Sequence, residues 1–329
     1  MSARAGVGLP GTVTMREAER LAAEAENAGA SSVWVTDVRR EPYLSSAAVL
    51  RATTRVTVGT DVAVAFSRSP AATAQAAWDL AGYGNGRFVL GLGSQVGPTL
   101  LSRFGVEADR PAARLRDYVL AVRACWDAYR KGRGRYDGEF YAIRQPVFSP
   151  GSDDPWPTIP LYVAGVNPVM TAVAGEVADG FAAHMFCTPT YLDRILRPAL
   201  ARGAARANRS APPVLMPLVV GRDRASLALQ MTTYTVPAYR RVLDESGLGA
   251  EADAILAAIA DRRRTEAAGI IEEHCLDQLG VAVFDDLPGR MRLWTAHADL
   301  IGLTVPWYGL DRDAQVALFR DVLRAVERM

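Results

Sequence analysis

The sequence predicts an α/β fold, a (β/α)8 TIM barrel forming one domain over residues 1–329, with insertions at about 132–159 and 222–296. Three observations carry that expectation: eight short apolar runs rich in Val and Gly, helix-like stretches between them, and apolar residues at successive positions within the runs. Continuous apolarity suits strands covered on both faces, as in a parallel sheet. Eight strand–helix units are the count that closes a barrel. A doubly wound sheet is the rival, and it calls for a glycine fingerprint after the first strand. The nearest match, Gly91-Leu92-Gly93-Ser94-Gln95-Val96-Gly97, has three residues between its second and third glycines where the dinucleotide motif has two.

Each element follows from local signals. The first run, 5–9 (AGVGL), leads into a helix over 14–29 that opens on Thr14 with Glu17 three residues on and stops at Gly29. The second, 32–36 (SVWVT), precedes a helix at 43–53. The third, 55–65 (RVTVGTDVAVA), sets Asp61 inside an apolar strand and precedes a helix at 70–82. The fourth, 87–92 (RFVLGL), comes before a helix at 110–131. The fifth, 160–165 (PLYVAG), meets a helix at 166–177, with Asn167 suited to the N-cap and Pro168 to the first helical position. The sixth, 179–184 (DGFAAH), precedes a helix at 188–207. The seventh is 213–220 (PVLMPLVV), and the eighth, 299–305 (DLIGLTV), leads to a final helix at 311–328. The Gly- and Pro-rich stretch 132–159 reads as an excursion, and 222–296 as two or three helices between the seventh and eighth strands. Insertions of this size cover a barrel mouth or an oligomer interface.

Composition narrows the function. With 37 basic and 36 acidic residues, no long-range field draws in nucleic acid or an anionic membrane. Cys125, Cys187 and Cys275 are odd in number and widely spaced, which fits a reducing cytoplasm. His184, His274 and His297 are scattered, so no metal site is expected. The start MSARAGVGLPG lacks the apolar core of a signal peptide, and no run approaches the roughly 18 apolar residues of a membrane span. The expectation is a soluble cytoplasmic protein.

In a barrel the chemistry sits where strands end. That singles out Asp37 to Glu41, Asp61 and Val62, Ser94 and Gln95, Gly165 to Asn167, and His184 to Phe186. The junction LYVAG-Val166-Asn167-Pro168 places a helix N-terminus at the mouth, and such a terminus binds phosphate through unpaired N–H groups and its dipole. His184 could add a donor to the same anion. An ordinary capped helix and a structural histidine are the plainer readings. Gly93 removes bulk at the mouth, with Ser94 and Gln95 free to hydrogen-bond, and a tight turn explains that glycine equally well.

Taken together, VAVAFSRSPAATAQAAWDLAGYGNGRFVLGLGSQV, RPAARLRDYVLAVRACW, YDGEFY, LYVAGVNPVMTAVAGEVADGFAAHMFCTPTYL and TVPAYRRVLDESGLG closely resemble the luciferase-like monooxygenase superfamily, and more narrowly its coenzyme F420-dependent oxidoreductases. The resemblance implies a flavin or deazaflavin at the strand carboxyl ends. It implies a non-proline cis peptide at Asp61-Val62, in a bulge backing the ring. Gly165, Val166 and Asn167 would hold the cofactor phosphate through backbone amides, Ser94 and Gln95 would line the ring, and His184 would lie near the phosphate or ribityl chain.

Relatives commonly carry a histidine after the second strand, in a segment like SExxHDPFL. Here that segment runs Thr36-Asp37-Val38-Arg39-Arg40-Glu41-Pro42-Tyr43-Leu44, with Arg40 in its place. Arginine is a poor general acid but clamps a carboxylate or polarises a carbonyl. The expected reaction is hydride transfer between C5 of F420 and a small organic substrate, one with an acid group or an activated double bond. Asp37, Arg40, Glu41 and Gln95 are expected at the reacting centre. The alternatives are an FMN-dependent monooxygenase using reduced flavin and oxygen, and a flavin-binding barrel without turnover. Tyr234, Tyr239 and Arg240 either reach the site or form an ordinary helix face. A homodimer is the expected assembly.

Overall fold

The computed structural model describes residues 5–145 and 158–329. Eight parallel strands close on themselves: β1 (Gly6–Gly8), β2 (Ser32–Val35), β3 (Thr57–Thr60), β4 (Phe88–Gly93), β5 (Leu161–Ala164), β6 (Gly180–Ala182), β7 (Val214–Gly221) and β8 (Leu300–Thr304). Each pairs with its neighbours in sequence, and β8 returns to β1 through Gly6↔Gly302 and Val7↔Leu303. All eight apolar runs of the sequence are barrel strands. Around them lie α1 (Met15–Asn27), α2 (Pro42–Ala52), α3 (Pro70–Tyr83), α4 (Pro111–Lys131), α5 (Pro168–Val177), α6 (Arg197–Arg206), α7 (Leu287–Thr295) and α8 (Arg312–Val326). Thr14 and Glu17 form the capping box that opens α1. No described helix is long and apolar enough to cross a membrane.

The lower barrel is filled by two rings set against glycines. Trp34 and Tyr162 lie 6.0 Å apart, centroid to centroid. A side chain on Gly59 would place its Cβ 2.4 Å from the Trp34 ring, and one on Gly180 would come within 2.3 Å of Tyr162. Large residues on β2 and β5 therefore require small ones on β3 and β6, the interdigitation that gives native packing density. With Val89 and Leu215 they form an inner cluster separate from the helix-facing core.

The third run is not one continuous strand. β3 ends at Thr60, and a second short segment, Ala63–Val64, resumes pairing with β4. The register shows the offset: Val58 faces Phe88, 30 positions on, whereas Ala63 faces Leu92, 29 positions on. One extra residue has been taken up, which is a β-bulge. Thr60 bridges the gap, its hydroxyl donating to the Gly91 carbonyl (2.7 Å) and accepting from the Gly91 amide (2.9 Å).

The two insertions differ from expectation in detail. Within 132–159, strands Gly134–Asp137 and Ala142–Gln145 form an antiparallel hairpin, while 146–157 lie outside the described residues. Buried Asp117 holds it, accepting from the amides of Phe140 (2.7 Å) and Tyr141 (3.0 Å) and from the Tyr136 hydroxyl. The stretch 222–296 contains five α-helical segments rather than two or three, plus a strand, Val281–Val283, that pairs with the upper end of β7. The reason is a long-range clamp. The buried guanidinium of Arg290 donates to the carbonyls of Val281 (2.9 Å), Asp277 (2.6 Å) and Leu279, breaking a helical run into turn and strand. A short helix, Gly97–Phe104, also went unanticipated.

The bulge sets a sharp stability expectation. A Cβ on Gly91 would fall 1.9 Å from the Thr60 carbonyl oxygen, whereas one on Gly269 meets nothing within 4 Å. Gly91→Ala should lower stability in a denaturant titration by at least about 2 kcal/mol, as overpacking against backbone does. Gly269→Ala, in the helix Arg264–Ile270, should be neutral or slightly stabilising. Equal midpoints for the two variants would contradict this account of the bulge.

Candidate functional site

Residues at or just past the ends of all eight strands line one cavity of 1070 Å³. That is slightly above the range of about 300–1,000 Å³ usual for small-molecule sites, enough for a large ligand with a second one beside it. The bulge and the β5–α5 junction both face it.

On the bulge side the Asp61-Val62 peptide is cis, as the resemblance implied, and both residues line the cavity. Gly93 serves the bulge rather than a ligand: a Cβ there would come 2.7 Å from Val62 Cγ2. The Asp61 amide donates to the Val35 carbonyl at 2.8 Å. Its carboxyl has no hydrogen-bond or ion-pair partner among the described residues, and burial pushes it up to about 7.

Asp37 is buried and both its carboxylate oxygens are engaged. Oδ2 accepts from the Val64 amide (3.1 Å) and faces Arg68 at 3.5 Å, while Oδ1 faces Arg103 at 3.4 Å. Arg103 also donates to the carbonyls of Asp37 (3.1 Å) and Val38 (2.8 Å). Asp37 therefore borders the cavity chiefly as the group that pins the backbone just past the bulge. Glu41 does not line the cavity. It is the N-cap of α2, accepting from the Leu44 amide (2.6 Å), and pairs with Arg68 (2.7 Å). Arg40 is exposed and also off the cavity wall; Arg39 lines it instead. The cause is the start of α2 at Pro42, which turns Arg40 and Glu41 outward with the cap, and residue spacing alone does not reveal which of two adjacent arginines faces inward.

Ser94 and Gln95 both line the cavity. Gln95 has a left-handed φ of 59°, and its Oε1 accepts from the Val96 amide at 3.0 Å. The Gln95 side-chain N–H2 is left without a protein acceptor among the described residues.

At the fifth junction Asn167 is the N-cap of α5 by backbone position, but its side chain makes no cap bond. Its Nδ2 donates instead to the Ala238 carbonyl at 2.9 Å, tying the junction to the large insertion. The first-turn amides of α5 thus lack the usual side-chain acceptor, and the dipole favours an anion there. Gly165 departs from expectation. Its amide donates to the Ala182 carbonyl at 3.3 Å, and its missing side chain makes room for Met170, 3.1 Å from where a Cβ would stand. The amides of Val166 and Asn167, by contrast, have no backbone acceptor among the described residues.

His184 lines the same cavity, and its Nδ1 accepts from the Phe186 amide at 3.0 Å, leaving the proton on Nε2. Its ring meets those of Tyr234 at 4.6 Å and Tyr239 at 5.0 Å. Burial lowers its pKa to about 4 and pushes the Tyr239 phenol up to about 12. Both tyrosines reach the cavity; Arg240 does not, pairing with Asp244 (3.2 Å) and Asp253. Sequence reading missed Gln230. This buried side chain accepts from the amides of Trp307 (2.8 Å) and Tyr308 (2.9 Å) and donates to the Tyr234 hydroxyl (3.2 Å). One glutamine on a helix face carries no signal that it joins two distant loops.

A cofactor with an aromatic ring system and a phosphate fits these residues, since uncapped amides and a bulged strand face the same cavity. Residues 1–283 match the family profile described as luciferase-like monooxygenase. An uncharacterized protein of Mycobacterium tuberculosis is 38% identical over 239 residues, which cover 68% of this chain and 70% of that one. The F420-dependent glucose-6-phosphate dehydrogenase of Beutenbergia cavernae is 32% identical over 201 residues, 56% of this chain and 57% of that one. In fold, the coenzyme F420-dependent tetrahydromethanopterin reductase of Methanopyrus kandleri superposes with a TM-score of 0.78 over 99% of this chain and 97% of its own, at 18% identity.

The state of His184 is directly measurable. A folded value of about 4 against 6.5 means the fold favours the neutral ring, so its stabilising contribution is present above about 6.5 and lost as pH falls toward 4. Nitrogen-15 NMR of the imidazole should report the Nε2–H tautomer unchanged from pH 8 to pH 5. A titration midpoint near 6.5 would contradict the buried placement.

Proposed function

This chain belongs to the luciferase-like monooxygenase family, and on that premise we propose that it is an F420-dependent oxidoreductase that reduces or oxidises a small organic substrate by hydride transfer. The observation that carries the proposal is the pairing, across one cavity, of an uncapped helix N-terminus with a bulged strand. The 32%-identical relative that uses F420 supports the choice of cofactor. When bound, the deazaflavin supplies hydride chemistry at its C5.

This chain's residues do the rest. The amides of Val166, Asn167 and the first turn of α5 hold the phosphate. Val62, backed by Gly93 and steadied through Asp37, supports the ring. Ser94 and the side-chain N–H2 of Gln95 donate hydrogen bonds to polar atoms beside it. His184 stays neutral and offers its Nε2–H, while Tyr234 and Tyr239 keep their phenolic protons and close the wall against water. Positioning and desolvation of this kind are what a protein contributes when the cofactor carries the reaction. Of the arginines after β2, Arg39 is the one on the cavity wall, and it would clamp an acidic group on the substrate.

Difference spectroscopy on the purified protein separates the cofactors: F420 should bind at micromolar strength and FMN far more weakly. Micromolar FMN binding without F420 binding would replace this reading with a flavin monooxygenase. Arg39→Ala should raise KM for an acidic substrate by about tenfold, the equivalent of about 1.4 kcal/mol, with kcat little changed. Arg40→Ala should leave both constants where they are.

A further inference from the structure

The cavity contains one carboxyl that no other group explains. Asp61 faces it from the end of β3, between Thr60 and the apolar run Val62-Ala63-Val64. Asp37, the nearest acid in sequence along the same wall, is held by the Val64 amide and two arginines, whereas Asp61 is held by none. The other titratable groups on the wall are Asp37 and Arg39 after β2, Arg110 at the start of α4, His184 after β6, and Tyr234 and Tyr239 from the insertion. Arg110 is paired with Glu139 at 2.5 Å. β1 and β4 bring no charge at all to this wall, their contributions being residues such as Leu9, Thr12, Ser94 and Gln95.

We propose that the Asp61 carboxyl is the group through which this cavity senses the charge of a tricyclic deazaflavin or flavin ring bound against the bulge. Protonated, it donates a hydrogen bond to an acceptor atom of the ring. Ionised, it places an unpaired negative charge beside the ring and opposes binding, and opposes it more strongly for an anionic ring. Its half-buried place on the cavity wall, with no cation beside it, supports this, because desolvation there holds the acid on the edge between its two forms near neutral pH. The bulge that shapes the ring site thus also carries its proton-linked contact. The inference rests on the proposed function, since it needs a ring in the cavity.

The test is binding of F420 to wild type and to Asp61→Asn between pH 6.0 and 8.5. The variant carries no charge at this position at any pH, so the ratio of the two Kd values isolates what the carboxyl contributes, its repulsion of an ionised ring included. That ratio should rise about 30-fold across the range if the ionised form does not bind and the carboxyl titrates at about 7. A constant ratio overturns the inference while leaving the proposed function standing. No binding of F420 or FMN by wild type at any pH overturns both. Infrared spectra of the wild-type protein decide the matter should the variant not bind. The protonated-carboxyl band, absent from Asp61→Asn, should fade with a midpoint near 7 in the free protein. F420 should move that midpoint upward. A midpoint in the ordinary aspartate range, or one unmoved by F420, overturns the inference.

Discussion

The reception of one extra residue in β3 by two glycines of β4 governs the site. Backbone cannot be pushed into a neighbouring strand unless that strand has no side chains there, and Gly91 and Gly93 supply the gap. Thr60 restores the lost ladder contacts with one hydroxyl, which bonds both the amide and the carbonyl of Gly91. Asp37 then fixes the far side through the Val64 amide, and Arg68 and Arg103 neutralise it. Four strands' worth of geometry, from β2 to β5, is referred to this one irregularity, because β4 is also the strand on which β5 pairs.

At the β5–α5 junction, which faces the same cavity as the bulge, a different set of hydrogen bonds matters. A side chain that caps its helix would compete with an incoming anion. Asn167 is drawn away to the Ala238 carbonyl, so the same residue frees the helix terminus and anchors the insertion over it. The insertion is in turn held to the loop after β8 by Gln230, and its two tyrosines pack on His184. The wall of the cavity is therefore continuous from barrel to insertion.

Much of this architecture was legible in the residues. Eight apolar runs became eight strands, and capping signals placed helix starts to within a few residues. The carboxylate inside TDVAV marked the third strand as unusual, and the family resemblance turned that mark into a bulge; Gly93, read as space for a ligand or as a tight turn, proved to make room for Val62. The fifth junction was readable because Asn-Pro is a helix-start signal. Misplaced were the arginine that faces the cavity, the role of Glu41, the work done by Gly165, and the number of helices in the insertion.

What the sequence by itself determined is what depends on period and local propensity, the strand count, the barrel and the position of the helix terminus, while the place of the bulge came from the resemblance to a family. What only the tertiary structure decided is which polar groups are already spent. Asp37, Glu41 and Gly165 look available in one dimension and are not, since their partners, Arg103, Arg68 and Ala182, come from other elements. Asp61 looks like one acid among many, and of the two carboxyls on the cavity wall it is the one with no partner among the described residues. Hydrogen-bond satisfaction is a property of the folded whole, because a donor and its acceptor need not be near each other in the chain, and it is satisfaction that separates a residue holding the site together from one free to act in it.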